Sequence, residues 1–107
     1  MPLEYFNVPK KLFNIDDAAD CFFVKVDGNG MKKAGINSKD LLLFKKTSNP
    51  TDGSIVMVEV DGQTMCRRYI KKGSDIILRR EGRPTTEIVV KTCNVQGELV
   101  SLVRNFR

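Results

Sequence analysis

Few side chains in this 107-residue chain can do chemistry, and what is missing narrows the choice. There are three cysteines, Cys21, Cys66 and Cys93, and no histidine. A thiolate nucleophile ordinarily takes its base from a histidine, and a Ser-His-Asp triad cannot be built without one. The cysteines are odd in number, far apart and without a CxxC pair, so neither a disulfide framework nor a zinc site is expected. Each lies in or beside an apolar stretch and reads as a reduced core filler. No metal and no cofactor is implied. The segment that stands out is Phe23-Val24-Lys25-Val26-Asp27-Gly28-Asn29-Gly30-Met31. A β-prone run stops at a small, turn-forming tetrad and restarts at a methionine. Such a turn off a strand end is where a scaffold can present a reacting group.

The cations are the second resource. Eighteen Lys and Arg against thirteen Asp and Glu give a net charge of +5. They come as short pairs, Lys10-Lys11, Lys32-Lys33, Lys45-Lys46, Arg67-Arg68, Lys71-Lys72 and Arg79-Arg80, which read first as solvated strand ends. Dispersed charge of this sign permits weak attraction to nucleic acid, but no helix-turn-helix, zinc finger or aromatic RNA-binding motif is present. Arg67 is harder to place. In Thr64–Lys71 it shares a strand face with Met65 and Tyr69, whereas Cys66, Arg68 and Ile70 share the other. An arginine snorkelling over apolar surface is one explanation.

The elements that must hold these residues are strands. Residues 1–20 read as a lead-in or linker, with Pro2 and Pro9 arguing against a long helix. Residues 21–107 read as one domain, long enough for one core. Strands are expected at Cys21–Val26, Leu41–Lys45, Ile55–Val60, Thr64–Lys71, Asp75–Arg79, Glu87–Lys91 and Glu98–Arg104. Met31–Ala34 is expected as one helical turn closed by Gly35. Asp61-Gly62 signals a type I′ hairpin, and Gln96-Gly97 reads as a turn. The unbroken run Ile55-Val56-Met57-Val58 predicts burial on both faces. Short strands between closely spaced turns indicate an all-β fold. With no 18-residue apolar run and no signal peptide at Met1–Tyr5, no membrane association is expected and the default location is cytoplasmic.

In order and spacing, these segments resemble the C-terminal domain of the LexA, UmuD and phage-repressor family. Val26–Met31 is similar to the segment V-x-G-x-S-M that carries the family's nucleophilic serine. Gly35-Ile36-Asn37-Ser38-Lys39-Asp40-Leu41-Leu42 resembles its G-I-x-x-G-D-L-L, with Lys39 where a glycine is usual. Asp52-Gly53-Ser54-Ile55-Val56, Gln63–Tyr69, Glu87–Val90 and Val95–Val100 resemble its later strands. The resemblance covers roughly residues 20–105. It implies an all-β, LexA C-terminal-domain-like (β-clip) fold of short, mostly antiparallel strands that dimerises and carries a serine–lysine dyad for self-cleavage, triggered in the family by RecA filaments.

Placed on that pattern, Gly30 stands at the nucleophile position and Arg67 at the general-base position, with Gly28, Asn29 and Met31 forming the active-site loop. Glycine offers no oxygen nucleophile. Arginine keeps its proton above a pH of about 12 and cannot serve as base. Arg68 would point to the other face, and Lys71 and Lys72 lie too far along the strand. No Ala-Gly or Cys-Gly scissile pair precedes Gly30. The expected function is therefore the regulatory and dimerisation domain of a LexA-like or phage-type repressor without self-cleavage. The alternatives are an inactivated serine–lysine peptidase of the SOS response and a UmuD-like accessory subunit of a translesion polymerase. The expected partner is a second copy of the chain, through edge strands and apolar surface near the C-terminus, with Leu99, Leu102, Val103 and Phe106 as candidates. DNA would be reached only through a missing N-terminal domain, and a RecA filament is a further candidate partner.

Overall fold

The computed structural model describes residues 3–6 and 20–104. Eight strands follow one another: β1 (Leu3–Phe6), β2 (Cys21–Val26), β3 (Leu41–Lys46), β4 (Ile55–Val60), β5 (Gln63–Lys72), β6 (Asp75–Arg80), β7 (Thr86–Val90) and β8 (Asn94–Val103). A single 3₁₀ turn, Lys32–Ala34, lies between β2 and β3. All neighbouring strands pair antiparallel, in the order β1-β2-β3-β8-β4-β5-β6-β7. The all-β expectation holds, and no α-helix occurs among the described residues.

Strand β4 explains how one sheet makes two cores. Its first four residues are buried, as their unbroken apolar run predicts. Ile55 and Met57 join Val24, Val26, Met31, Leu42, Phe44 and Cys66 in one cluster. Val56 and Val58 join Tyr69, Leu78 and Val95 in the other. Each of these large side chains stabilises the fold by about 1.5–3 kcal/mol through removal from water. The β4–β5 hairpin closes as its Asp-Gly pair predicts, with positive φ at both Asp61 (51°) and Gly62 (79°).

Two sequence expectations need correction. The sequence predicts no strand before Cys21, yet Leu3–Phe6 pairs with Phe23–Val26. The run is only four residues long and flanked by prolines, so its strand character comes from a partner distant in sequence. Second, Gln96-Gly97 is not a turn but lies inside β8. Gly97 is there for space: a Cβ would stand 2.9 Å from two Phe22 ring carbons and 3.0 Å from the Lys45 carbonyl oxygen. β8 also carries irregularities on both sides. Leu43 faces Ser101 and Phe44 faces Leu99, which leaves Val100 as an extra residue. Met57 faces Gly97 and Val58 faces Val95, which leaves Gln96 as another.

The link between β2 and β3 is a long excursion pinched at its base. Val26 N–H donates to the Asp40 carbonyl (2.9 Å) and Lys39 N–H donates to the Val26 carbonyl (2.7 Å). Asp40, only 2% exposed, accepts from the Asn37 amide at 2.7 Å and from Arg104 Nε and Nη2, both at 2.9 Å. These contacts, led by the Arg104 hydrogen bond, hold the Asp40 carboxyl below its usual pKa against the opposing effect of burial. The forked arginine thus ties the end of β8 to the base of the loop.

Candidate functional site

The loop that departs from β2 begins at Asp27 and runs through Gly28, Asn29 and Gly30 into the 3₁₀ turn. Gly28 has φ 115°, which excludes an ordinary side chain, and its amide donates to Ser38 Oγ at 3.2 Å. Asn29 is exposed, and its carbonyl accepts the Lys32 amide at 3.2 Å. Met31 is 1% exposed and anchors the loop in the first core, where its Sδ accepts the Glu81 amide at 3.2 Å. Gly35 ends the turn at φ 89° and donates back to the Lys32 carbonyl, as the expected C-cap should.

Gly30 and Lys39 form a contrast. Gly30 is not among the positive-φ glycines, so its backbone does not require the absence of a side chain. Lys39 does sit at positive φ, 79°. That is the position where the resemblance places a glycine, and the left-handed backbone explains why glycine suits it.

The loop leans on the segment that follows β6. The Lys33 amide donates to the Glu81 carbonyl at 2.8 Å. Gly82 is buried, and a Cβ on it would lie 2.9 Å from the Gly30 carbonyl oxygen and 2.8 Å from Arg80 Nη1. Gly82 thus lets the Gly30 loop and the Arg80 guanidinium close around one point. Arg80 Nη1 also donates to the Pro84 carbonyl at 3.1 Å.

Arg67 is on β5 opposite Val56, on the same face as Met65 and Tyr69. It is half-buried, and its Nη1 donates to the Cys66 carbonyl at 2.8 Å. Arg68 pairs with Arg79 across β5 and β6, so the next step along brings Arg67 alongside Arg80. Burial pulls the Arg67 pKa down, the neighbouring Cys66 opposes this, and Arg80 adds to the depression. Burial beside a second cation is the setting that would make a lysine a usable base, but arginine starts too high to become one. Cys66 itself is fully buried, and burial pushes its thiol up to about 12, which agrees with an inert core role.

Arg80 lines a recess of about 240 Å³ with Asn29, Lys32 and Arg83. The sequence alone does not single out Arg80, Arg83 or Lys32 for a site. The signal available is the Arg79-Arg80 pair beside Gly82 at the end of a strand. A larger hollow of about 630 Å³ lies elsewhere, lined by Phe22, Val95 and the Lys46–Ser48 stretch, and includes none of the loop residues.

The candidate residues near the C-terminus lie in different surroundings. β8 lies between β3 and β4, so both its edges are taken within the chain and edge-to-edge pairing through β8 is ruled out. Leu99 and Leu102 pack partly buried against the first core. Val103 faces Leu41 and is half-buried. Phe106 lies outside the described residues. The apolar residue that β8 leaves open is Val100, 50% exposed at its irregularity. Among the described residues, no group of three or more His, Cys, Asp or Glu side chains is arranged to hold a metal. No helix there is long and apolar enough to cross a membrane.

Comparison with known proteins adds one family and three relatives. The chain matches the Peptidase S24-like family over residues 2–100. It is 32% identical over 98 residues to the LexA repressor of Clostridium botulinum (strain Hall), covering 92% of this chain and 49% of that protein. It is 29% identical over 103 residues to the LexA repressor of Clostridium acetobutylicum (96% and 50% covered) and 33% identical over 103 residues to that of Lactobacillus acidophilus (95% and 49% covered). The chain spans about half the length of the curated relatives it matches.

Proposed function

Because the chain belongs to the Peptidase S24-like family, we propose that it is the regulatory and dimerisation domain of a LexA-like repressor that does not cleave itself. One observation carries this reading: Gly30 on the loop and Arg67 on β5 supply neither a nucleophile nor a removable proton acceptor. An acyl-enzyme needs an oxygen or sulfur at the loop, and Gly30 has no side chain. A base must shed its proton near the working pH, and a guanidinium does not. The loop, its glycine turn and its Met31 anchor then act as scaffold. DNA contact is assigned to a part of the repressor outside these residues.

The test of inactivity is incubation of the purified chain at a pH of about 10, near the ordinary lysine pKa, where a lysine base would be populated in its neutral form. One intact species is the expected result, and a specific fragment overturns the reading. Folding is followed by circular dichroism in the same samples. Burial raises the Cys66 pKa above its unfolded value, so the stability it contributes declines as pH rises from about 9 towards about 12. Gly30→Ser alone is expected to leave the chain intact, since Arg67 remains.

Dimerisation is assigned to the open face of β8 rather than to its edges, with Val100 as the apolar contact. Sedimentation should give the mass of two copies, and Val100→Asp should shift it to one. A native chain that sediments as a monomer at high micromolar concentration removes dimerisation from the proposal.

A further inference from the structure

The recess beside Gly30 has a charge pattern that the repressor reading does not use. Lys32, Arg80 and Arg83 line it with Asn29, and Arg67 stands next to Arg80 on the adjoining strand. None of these four cations is within ion-pair distance of a carboxylate among the described residues. Elsewhere on the same hairpin the chain does provide acids: Arg68 is paired to Glu81 at 2.9 Å and Arg79 to Glu87 at 2.7 Å. Like charges side by side on neighbouring strands oppose folding, the more so when half-buried. Here Arg80 adds to the depression of the Arg67 pKa, which burial leads and Cys66 opposes, and no carboxylate relieves it.

From this geometry we propose that the recess binds a phosphate group of a small phosphorylated ligand. Three features select that chemistry. Guanidinium groups fork onto phosphate oxygens, and two arginines, a lysine and an asparagine line the same recess. A phosphate dianion offsets more of the clustered positive charge than a single carboxylate does. The recess, at about 240 Å³, is smaller than the roughly 300–1,000 Å³ usual for whole drug-sized ligands, so it takes a group and leaves the rest of the molecule outside. Gly82 is what lets the site close, because any side chain there would collide with Arg80 Nη1 and the Gly30 carbonyl oxygen. A duplex backbone is the less suitable source: it calls for an extended stripe of cations, whereas these surround a hollow between a loop and a strand end.

The proposal stands apart from dimerisation and from self-cleavage, since it concerns only what fills the recess. It is tested by amide and arginine Nε–Hε NMR of the native chain titrated with inorganic phosphate against chloride at matched ionic strength. Saturable shifts confined to Asn29–Lys32 and Arg80–Arg83 are expected, with affinity falling at least about tenfold, some 1.4 kcal/mol, in Arg80→Gln/Arg83→Gln. Lys45→Gln/Lys46→Gln should leave the affinity unchanged. Thermal melts confirm that each variant is folded. Shifts that do not saturate, or that survive Arg80→Gln/Arg83→Gln, overturn the site. A short DNA duplex that shifts these residues where inorganic phosphate does not overturns the small-ligand assignment.

Discussion

Strands β5 and β6 carry an arginine pair on each face, and the two faces are treated in opposite ways. Arg68 and Arg79 face each other in register. Glu81 forks onto Arg68 through Nη2 at 2.9 Å and Nε at 3.3 Å, lies 3.8 Å from Arg79, and Glu87 takes Arg79 at 2.7 Å. One step along, Arg67 lies alongside Arg80, and Arg80 packs where Gly82 and the Gly30 carbonyl come together, with no side chain there to offer an acid. The same residue type on the same hairpin is neutralised on one face and left charged on the other. The difference teaches that cation count alone says little; what matters is which residues the neighbouring loop supplies. The acid-bearing face is a structural clamp. The glycine-bearing face keeps its charge available, and it is the face the family resemblance assigns to the reaction.

The comparison extends to Arg104, the strongest case of a neutralised arginine because its partner Asp40 is almost wholly buried. Asp40→Asn is expected to have the largest effect on stability, about 2–3 kcal/mol, by removing the charge that Arg104 and the Asn37 amide are arranged to meet. Denaturant melts measure it. The sign with pH follows from the lowered Asp40 pKa. Its contribution is complete above the unfolded carboxylate value of about 3.9 and is lost as pH falls through the lower folded value. The Asp40→Asn variant should therefore flatten this part of the acid dependence, and an unchanged acid limb would show that Asp40 is not its source. Glu81→Gln comes next, at about 1–2 kcal/mol, since it leaves Arg68 and Arg79 to repel each other. Added salt should recover part of that loss. If Glu81→Gln melts like the native chain, the clamp has no energetic content and the two faces are equivalent.

The strands were largely legible in the sequence because local pattern and tertiary environment agree along them. The Ile55–Val58 run is buried on both faces, and Asp61-Gly62 turns as its residues dictate. Legibility failed where a distant partner decides. Leu3–Phe6 becomes a strand because β2 is available, and Gly97 is a glycine because Phe22 and Lys45 approach, neither of which is written nearby. For the site, the loop and Arg67 stood out by resemblance, whereas Arg80, Arg83 and Lys32 join only when the fold brings the end of β6 to the loop. Lys39 lies between these cases: the departure from glycine was visible, but not the φ of 79° that gives it a cost. Lys39→Gly is expected to stabilise the chain by roughly 1 kcal/mol. Lys39→Asn removes the same charge and tolerates that backbone, so it should recover much of the gain. Salt-independence of both effects separates this backbone strain from the repulsion at Arg67 and Arg80, and a gain that disappears in salt would assign it to charge instead.

The finest resolution of the comparison comes from placing the same probe on each face. Arg67→Lys and Arg68→Lys each exchange a guanidinium for an ammonium that can titrate within reach of measurement. At position 67 the ammonium would be half-buried, beside Arg80 and without an acid, so both burial and neighbour charge favour its neutral form. Its pKa should fall below the ordinary lysine value of about 10.4. At position 68 the ammonium would face Glu81, whose attraction favours the charged form, and its pKa should not fall. Arg68→Lys gives up the fork onto Glu81 and should lose some stability, whereas Arg67→Lys should change it little; the deciding difference lies in the titrations, read by NMR of the lysine side chains. A depressed value at 67 alone would mean that the surroundings of a lysine base persist around an arginine that cannot use them. Equal values at the two positions would mean that the glycine-bearing face is no more hostile to charge than the clamp, and the contrast between them would then be one of contacts and not of energy.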